Sequence, residues 1–291
     1  MTGLRAITVA VDYSDLLAVT LPYNRHHFDQ VHIVTDQRSA LAVQNVTDPT
    51  DGNVFVWVTD LFTAGGAVFN KWAALEWGLD RMGREGFIAI MDADVLWPRA
   101  VHVAPFGQSL RFGLADGRGD LVLNRGELMT PLRRMAPWPL GSLPFIQNPD
   151  EVARNVREGF VGVPAESSWH RFPIHRNVAE WAGYSQCFHA SDPALGPPPW
   201  HEVTWTHCGG ADSIFQRKWP PHLKRRPPWE VLHLGPAGEN WMGRATPYAD
   251  GTVPADAAEK GAMVRGIWEG RRRLRTAGAS EAEQFRPEKL G

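Results

Sequence analysis

The segment from Phe87 to Val95 constrains this chain more than any other. Its apolar residues predict a buried strand, and that strand ends in two aspartates, Asp92 and Asp94, spaced two residues apart. On a strand this spacing points both side chains to the same side. Two carboxylates so close together repel one another unless a divalent cation lies between them, and Mg²⁺ and Mn²⁺ prefer oxygen ligands. The sequence therefore predicts a metal site, facing a phosphate-bearing ligand, at the end of this strand.

The composition is that of an ordinary globular protein. The 291 residues are 43% hydrophobic, enough for a large core, and the formal net charge of -2 does not require a nucleic-acid partner. Cys187 and Cys208 are the only cysteines and lack CxxC spacing, which fits a reducing compartment. The apolar run at residues 7–11 is too short for a signal peptide, and no apolar stretch of anchor length occurs. We therefore expect a cytoplasmic protein.

The first hundred residues alternate between strand and helix patterns. Residues 69–79 carry apolar side chains at steps of three and four, which predicts an amphipathic helix just before the aspartate-tipped strand. This alternation predicts an α/β domain in which helices cover a mostly parallel sheet. The other strands predicted in this part are residues 7–11, 31–35 and 54–58.

Aspartates follow several of these predicted strands. Asp12, Asp36 and Asp60 come after the first, second and third strands. Parallel sheets bind ligands at the carboxyl ends of their strands, so these residues are candidate ligand contacts. Aspartate also favours turns and caps without any ligand, and for each residue alone the two interpretations are balanced. Together with Asp92 and Asp94, the set favours a binding edge.

The second half of the chain is less regular. Residues 130–149 and 192–200 are rich in proline and predict two long loops, and residues 149–158 predict a short helix. A longer helix is predicted over residues 255–275, and consecutive arginines near its end suit a helix carboxyl terminus. Trp268 is expected to pack this helix against the main domain. The expected divisions are a main domain, residues 1–245, and a helical extension with a tail, residues 246–291.

Two motifs in this half are candidates for chemistry. Gly209 and Gly210 precede Asp212, and glycines let the backbone approach a ligand closely. Asp212 is therefore a candidate general base, although a plain helix cap also explains it. His233 ends a short apolar strand, and a glycine-rich loop begins at Gly235. An imidazole there can bind a metal and the loop amides can bind a diphosphate, although a histidine is often structural.

In this order the motifs resemble those of metal-dependent glycosyltransferases of the GT-A fold, over residues 5 to 244. The Gly-Gly-x-Asp segment is similar to the acceptor-side motif of inverting members such as the β-1,4-galactosyltransferases, but Ala211 stands where those enzymes carry a glutamate. The resemblance is carried by Asp12, Phe69-Asn70-Lys71, Met91-Asp92-Ala93-Asp94, Gly209-Gly210-Ala211-Asp212 and His233-Leu234-Gly235.

The resemblance implies a GT-A-like α/β fold, in which a Rossmann-like nucleotide-binding half is fused to an irregular acceptor half. It also implies transfer of a sugar, with inversion, from a nucleotide-diphosphate sugar to a hydroxyl acceptor, a UDP-sugar being the favoured donor. Asp94 and His233 would bind Mn²⁺ or Mg²⁺, Asp92 would reach the metal or the ribose, and Asp212 would accept the proton of the acceptor hydroxyl. The donor would be held by Asp12, Asp36, Lys71, Asp92, Gly235, Asn240 and Trp241.

Three alternatives remain open. The same chemistry on hydroxymethylated bases of DNA would use the basic clusters at Lys218, 224–226 and 271–275, although a solvated basic face explains these clusters more simply. A sugar-nucleotidyltransferase also uses paired carboxylates with Mg²⁺, but the first strand here runs into Asp12 instead of a basic, glycine-rich phosphate loop. A non-catalytic carbohydrate-binding protein would use the 13 tryptophans and would need no aspartate pair.

Overall fold

The structure is a computed structural model that describes residues 3–47, 50, 52–97, 101–114, 120–136, 138, 184–204, 207–227, 229–235 and 240–279. The strands are β1 (Leu4–Val9), β2 (Gln30–Thr35), β3 (Val54–Val58), β4 (Phe87–Asp92), β5 (Val95–Leu96), β6 (Val101–Phe106), β7 (Ser109–Leu114), β8 (Leu121–Leu123), β9 (Leu128–Met129), β10 (Leu132–Ala136), β11 (Ser185–His189), β12 (Lys224–Arg225) and β13 (Glu230–Leu234). The α-helices are α1 (Ser14–Asn24), α2 (Ala40–Val46), α3 (Lys71–Met82), α4 (Ala211–Phe215) and α5 (Ala257–Thr276).

A seven-stranded sheet forms the centre, in the order β12-β9-β11-β4-β1-β2-β3. β1, β2, β3 and β4 pair in parallel, and one helix follows each of the first three. The order 3-2-1-4 is that of a Rossmann-like half. On the other side of β4 the sheet continues through the antiparallel β11, which begins an irregular half. The predicted α/β architecture, a parallel Rossmann-like half joined to an irregular half, is therefore confirmed.

The core lies on both faces of this sheet. Phe87, Ala89 and Met91 of β4 belong to one apolar cluster, whereas Ile88 and Ile90 belong to the other. Successive strand residues point to opposite faces, so a strand covered on both sides reads as a continuous apolar run. This burial is why the segment around Asp92 is the clearest strand signal in the sequence.

A small sheet beside the main one has the order β10-β13-β5. β13 pairs antiparallel with β5, with His233 opposite Val95 and Leu232 opposite Leu96. Asp94 directly precedes β5, and the Leu234 amide donates to the Asp94 carbonyl at 2.8 Å. This pairing brings the end of β13 next to the aspartate turn. A third sheet, β6-β7-β8, is formed by neighbouring antiparallel strands.

Several boundaries differ from the expectations. β1 ends at Val9 instead of residue 11, and Asp12 follows in a left-handed conformation with φ 58°. β6, β7 and β11 were not expected, because short antiparallel strands carry little local signal. Leu132–Ala136 forms β10 inside the proline-rich stretch 130–149, which was expected to be a loop. Most of the rest of that stretch and the helix expected over residues 149–158 lie outside the described residues.

The expected carboxyl-terminal helix is present as α5. Val264 and Ile267 are buried against Met242, whereas Trp268, expected among the packing residues, is 48% exposed. Among the helices of the described ranges, none combines the length and apolarity needed to cross a membrane. The division at residue 245 remains a prediction.

Candidate active site

The two aspartates at the centre of the prediction lie at the carboxyl edge of the parallel strands. Asp92 is the last residue of β4, and Asp94 lies in the turn that leads to β5. The turn, and not strand alternation as expected, therefore sets the direction of Asp94. Its side chain is buried, with 5% exposure of the residue, while Asp92 is partly exposed. One carboxylate thus lies deep in the site, and the other lies nearer its opening.

His233 lies beside this pair. Its Nε2 is 3.6 Å from Oδ1 of Asp94, and its Nδ1 is 3.3 Å from the Gly235 carbonyl oxygen. The Gly235 carbonyl beside Nδ1 favours the tautomer that carries its proton on Nδ1. The Nε2 lone pair is then directed at Asp94 and can bind a metal. Asp92, Asp94 and His233 each offer one ligand atom, and these atoms all lie within 4.8 Å of one another.

This donor set fits a hard divalent cation. Two carboxylates and one neutral imidazole are ligands that Mn²⁺ accepts, and Mg²⁺ is satisfied by the carboxylates with water and phosphate oxygens. The three residues come from two distant parts of the sequence and meet through the β5–β13 pairing. Of the predicted residues, these three are the ones that the structure assembles as a possible metal site.

Lys71 adds a positive charge to the same place. It begins α3, and its ammonium group forms an ion pair with the Asp92 carboxylate. Burial alone would lower the pKa of Lys71, but the negative charges of Asp92 and Asp212 hold that pKa above its ordinary value. Lys71 therefore stays protonated between the aspartate pair and the candidate base.

Asp212 lies in the first turn of α4. Gly210, at the start of that helix, has φ 94°, a conformation that favours glycine. The charges of Asp212 and Asp92 both act on Lys71 and on the Cys208 thiol, so the candidate base lies near the aspartate pair. The helix predicted after Asp212 is present, but α4 is only one turn and a 3-10 turn, Gln216–Lys218, continues it.

Asp12 and Asp36 meet at one serine. The Ser39 hydroxyl accepts from the Asp12 amide at 2.9 Å and lies 3.3 Å from Asp12 Oδ1, and the Ser39 amide donates to Asp36 at 2.8 Å. Arg38 also donates to Asp36 at 2.9 Å. Partial burial acts to raise the pKa of Asp36, but the hydrogen bonds from Ser39 and Arg38 hold it below its ordinary value. Asp36 is thus an ionised carboxylate that already accepts hydrogen bonds in the turn before α2.

The remaining predicted contacts have local partners. The Asn240 carboxamide oxygen accepts from the amides of Ala245 and Thr246 at 2.8 and 3.2 Å, so it shapes its own loop. Gly235 has φ 90° and its carbonyl faces His233. Trp241 lies against the loop before Asp212, as its carbonyl accepts from the Cys208 amide at 3.0 Å. The loop residues 236–239 lie outside the described residues.

Three residues of the site were missed by the sequence analysis. Arg244 is buried and binds the Asp12 carbonyl at 2.6 Å and the Asp15 carboxylate, which ties the end of the main domain to the turn after β1. Burial and the nearby Asp94 charge raise the pKa of Tyr13 well above its ordinary value, although Arg244 opposes them. Burial likewise raises the pKa of Cys208 to about 12. Arg244 and Tyr13 lie in no predicted motif, and Cys208 directly precedes the Gly-Gly-x-Asp segment, where nothing in the pattern predicts a role for it.

No protein-family model matches this sequence, and comparison with curated proteins finds no match. Among solved structures, the galactosyltransferase LgtC in complex with donor and acceptor sugar analogs is 11% identical over 88% of this chain and 99% of that chain, with a TM-score of 0.41. An active-site mutant of LgtC is 16% identical over 32% of this chain and 38% of that chain, with a TM-score of 0.25. A 4-diphosphocytidyl-2C-methyl-D-erythritol synthase from Anaerococcus prevotii is 9% identical over 90% of this chain and 98% of that chain, with a TM-score of 0.36. Identities this low do not transfer an activity, which has to be argued from the site itself.

Proposed function

We propose that this protein is an inverting glycosyltransferase that moves a sugar from a nucleotide-diphosphate sugar, a UDP-sugar being favoured, to a hydroxyl group. The observation that carries the proposal is the convergence of Asp92, Asp94 and His233 within 4.8 Å at the carboxyl edge of a Rossmann-like half. Asp212, in the irregular half, lies near this site, since its charge, like that of Asp92, acts on Lys71. An acidic site that can bind a cation, with a separate carboxylate nearby, suits a donor diphosphate and an acceptor hydroxyl.

Asp94, His233 and Asp92 would hold the cation, Mn²⁺ or Mg²⁺. When bound, the cation neutralises negative charge on the leaving diphosphate. Lys71 supplies a second positive charge at Asp92 and stays protonated because acidic groups surround it. Its ammonium would contact a phosphate oxygen of the donor.

Asp12 and Asp36 would hold the ribose and base, since both follow strands of the parallel half and meet at Ser39. Their carboxylates accept hydrogen bonds from ribose hydroxyls or from base N–H groups. Tyr13, directly after Asp12, is kept neutral by burial and by the nearby charge of Asp94. The donor would thus run from Asp36 to Asp94 along the strand ends.

Asp212 would act as general base. The acceptor hydroxyl oxygen attacks the anomeric carbon of the donor sugar from the side opposite the diphosphate. The new C–O bond forms while the bond from that carbon to the diphosphate oxygen breaks, and the nucleoside diphosphate leaves with the electron pair. The hydroxyl proton passes to the Asp212 carboxylate, so charge and atoms balance. A single displacement of this kind inverts the anomeric configuration.

A screen of UDP-, GDP-, dTDP- and CMP-sugars, with and without Mn²⁺, tests the proposal. We expect one donor to raise the thermal unfolding temperature only when Mn²⁺ is present, and we expect slow donor hydrolysis to require Mn²⁺. Asp94→Asn and His233→Ala should abolish both effects while circular dichroism stays native. Asp250→Asn, a change at an exposed acidic residue, is the control. Release of pyrophosphate from a nucleoside triphosphate and a sugar phosphate would instead identify a nucleotidyltransferase.

A further inference from the structure

An aromatic stack leads outward from the loop that carries the candidate base. The Trp241 ring stacks on Trp268 of α5, with centroids 4.9 Å apart and an interplanar angle of 28°. On the inner side Trp241 is nearly parallel to His207, at 6.5 Å and 15°. The Arg271 guanidinium lies 4.6 Å from the Trp268 centroid and 5.9 Å from the Trp241 centroid. The proposed transfer step uses none of these side chains.

The stack is fixed to the candidate base through Gly209. A Cβ on Gly209 would lie 2.3 Å from Cδ2 of Trp241, so the ring lies directly on the glycine backbone. The Cys208 amide also donates to the Trp241 carbonyl at 3.0 Å. Gly209 comes three residues before Asp212 in the sequence. The position of the ring plane is therefore set relative to the carboxylate that would activate an acceptor.

The outermost ring of the stack is open. Trp268 is 48% exposed, although its orientation is held by Trp241 on one side and by Arg271 one helical turn away. Apolar packing of α5 is made instead by Val264 and Ile267. A tryptophan held in one orientation but left open to solvent is a preformed platform, since binding would cost it little further side-chain entropy.

The charge around the platform is positive. Arg272 and Arg275 follow Trp268 by four and seven residues, which places them on the same face of α5. Arg273 follows Trp268 by five residues, which places it on the opposite face of α5. A flat ring flanked by guanidinium groups suits a ligand that combines a ring face with an anionic group.

We propose that Trp268 and Arg271 form the acceptor subsite, and that the acceptor is an acidic saccharide. The apolar face of one sugar ring would lie on Trp268, with its carboxylate bound by Arg271, while a hydroxyl further along the chain reaches Asp212. This inference rests on the proposed function. Single-stranded nucleic acid is the less suitable partner, because its binding uses successive aromatic rings along a basic groove, and here one ring is open in a chain of net charge -2.

Calorimetric titration of the full chain with trigalacturonic acid and with neutral maltotriose tests the proposal. We expect the acidic trisaccharide to bind and maltotriose to bind more weakly. Trp268→Ala and Arg271→Gln should each weaken trigalacturonate binding by roughly tenfold, the size of one stacking or cation–π contribution. Trp268→Phe should retain most of the affinity. Arg273→Gln, on the opposite face, and Phe106→Ala, an exposed ring of the β6–β7 hairpin, are the matched controls.

The variants also separate this inference from the proposed function. Trp268→Ala should keep the Mn²⁺-dependent stabilisation by the donor, because the residue lies on the acceptor side. If the donor stabilises the wild type but trigalacturonate does not bind, or binds Trp268→Ala equally well, the acceptor subsite is wrong. Tighter binding of a short single-stranded oligonucleotide or of phosphatidylglycerol vesicles, reduced by the same substitutions, would also overturn it. If no donor stabilises the wild type, the proposed function itself fails.

Discussion

Lys71 and Asp92 form an ion pair at the carboxyl edge of the parallel strands, inside an otherwise acidic site. Lys71 begins α3 and Asp92 ends β4, so the pair joins a helix start to the strand end beside it. The ammonium group is also within electrostatic reach of Asp212. One side chain thus lies between the candidate metal ligands and the candidate base.

Replacing Lys71 should separate metal binding from turnover. In Lys71→Met, Asp92 loses its positive partner, and a cation at Asp94 no longer meets a neighbouring ammonium. We expect Mn²⁺ to bind more tightly, by roughly tenfold, while donor turnover falls because the phosphate contact is lost. Mn²⁺ titration by electron paramagnetic resonance and a donor hydrolysis assay measure the two effects. The control is Lys260→Met, which removes a lysine of α5 that pairs with Asp256. Weaker Mn²⁺ binding in Lys71→Met would contradict the prediction.

Asp212→Asn should slow the transfer step selectively. The amide keeps the shape of the side chain but cannot accept a proton, so turnover should fall by about 10²- to 10⁴-fold, the usual worth of a general base. Donor binding, followed by thermal stabilisation with Mn²⁺, should stay unchanged. Near-normal turnover, or a product with retained anomeric configuration, would remove Asp212 from this role. Weaker donor binding with unchanged turnover would identify a structural cap.

Gly209→Ala should destabilise the fold and displace Trp241. The added Cβ would lie 2.3 Å from Cδ2 of the Trp241 ring, so the ring or the backbone has to move. Overpacking of this kind costs about 1–3 kcal/mol of unfolding free energy. Gly266→Ala, where the Cβ meets no atom within 4 Å on exposed α5, should stabilise by about 0.5–1 kcal/mol. Urea unfolding of both variants measures the contrast, and equal effects would contradict it.

Acid should lower the free energy of unfolding through protonation of Glu76. Burial acts to raise the pKa of Glu76, but His201 and Arg84 hold it below the ordinary 4.5. As the pH falls, Glu76 is therefore protonated at a higher pH in the unfolded chain than in the folded protein. The stability that the ionised Glu76 contributes is complete above pH 4.5 and is lost as the pH falls through the lower folded pKa. Urea unfolding free energies measured across that range should fall less steeply with acid in Glu76→Gln than in the wild type. Glu269→Gln, on exposed α5, should keep the wild-type slope.

The parallel half of the fold was predictable because its signals are local. β3 has the predicted bounds, and α3 begins within two residues of the predicted start at Phe69. The spacing of apolar residues and the capping of a helix depend only on residues close together in the sequence. The Asn70 side chain, for example, accepts from the Ala73 amide at 3.0 Å and so caps the start of α3. The acidic end of β4 was likewise visible, since a strand covered on both faces reads as one apolar run.

The sequence alone determined the α/β class, the position of the aspartate pair and the identity of its candidate partners. Tertiary structure decided which of them meet. His233 reaches Asp94 because β13 pairs with β5, and Arg244 reaches Asp12 across most of the chain. The same long-range packing left Trp268 open on α5. Periodicity and capping act between near neighbours, whereas strand pairing and helix docking depend on contacts between distant residues, which no local pattern encodes.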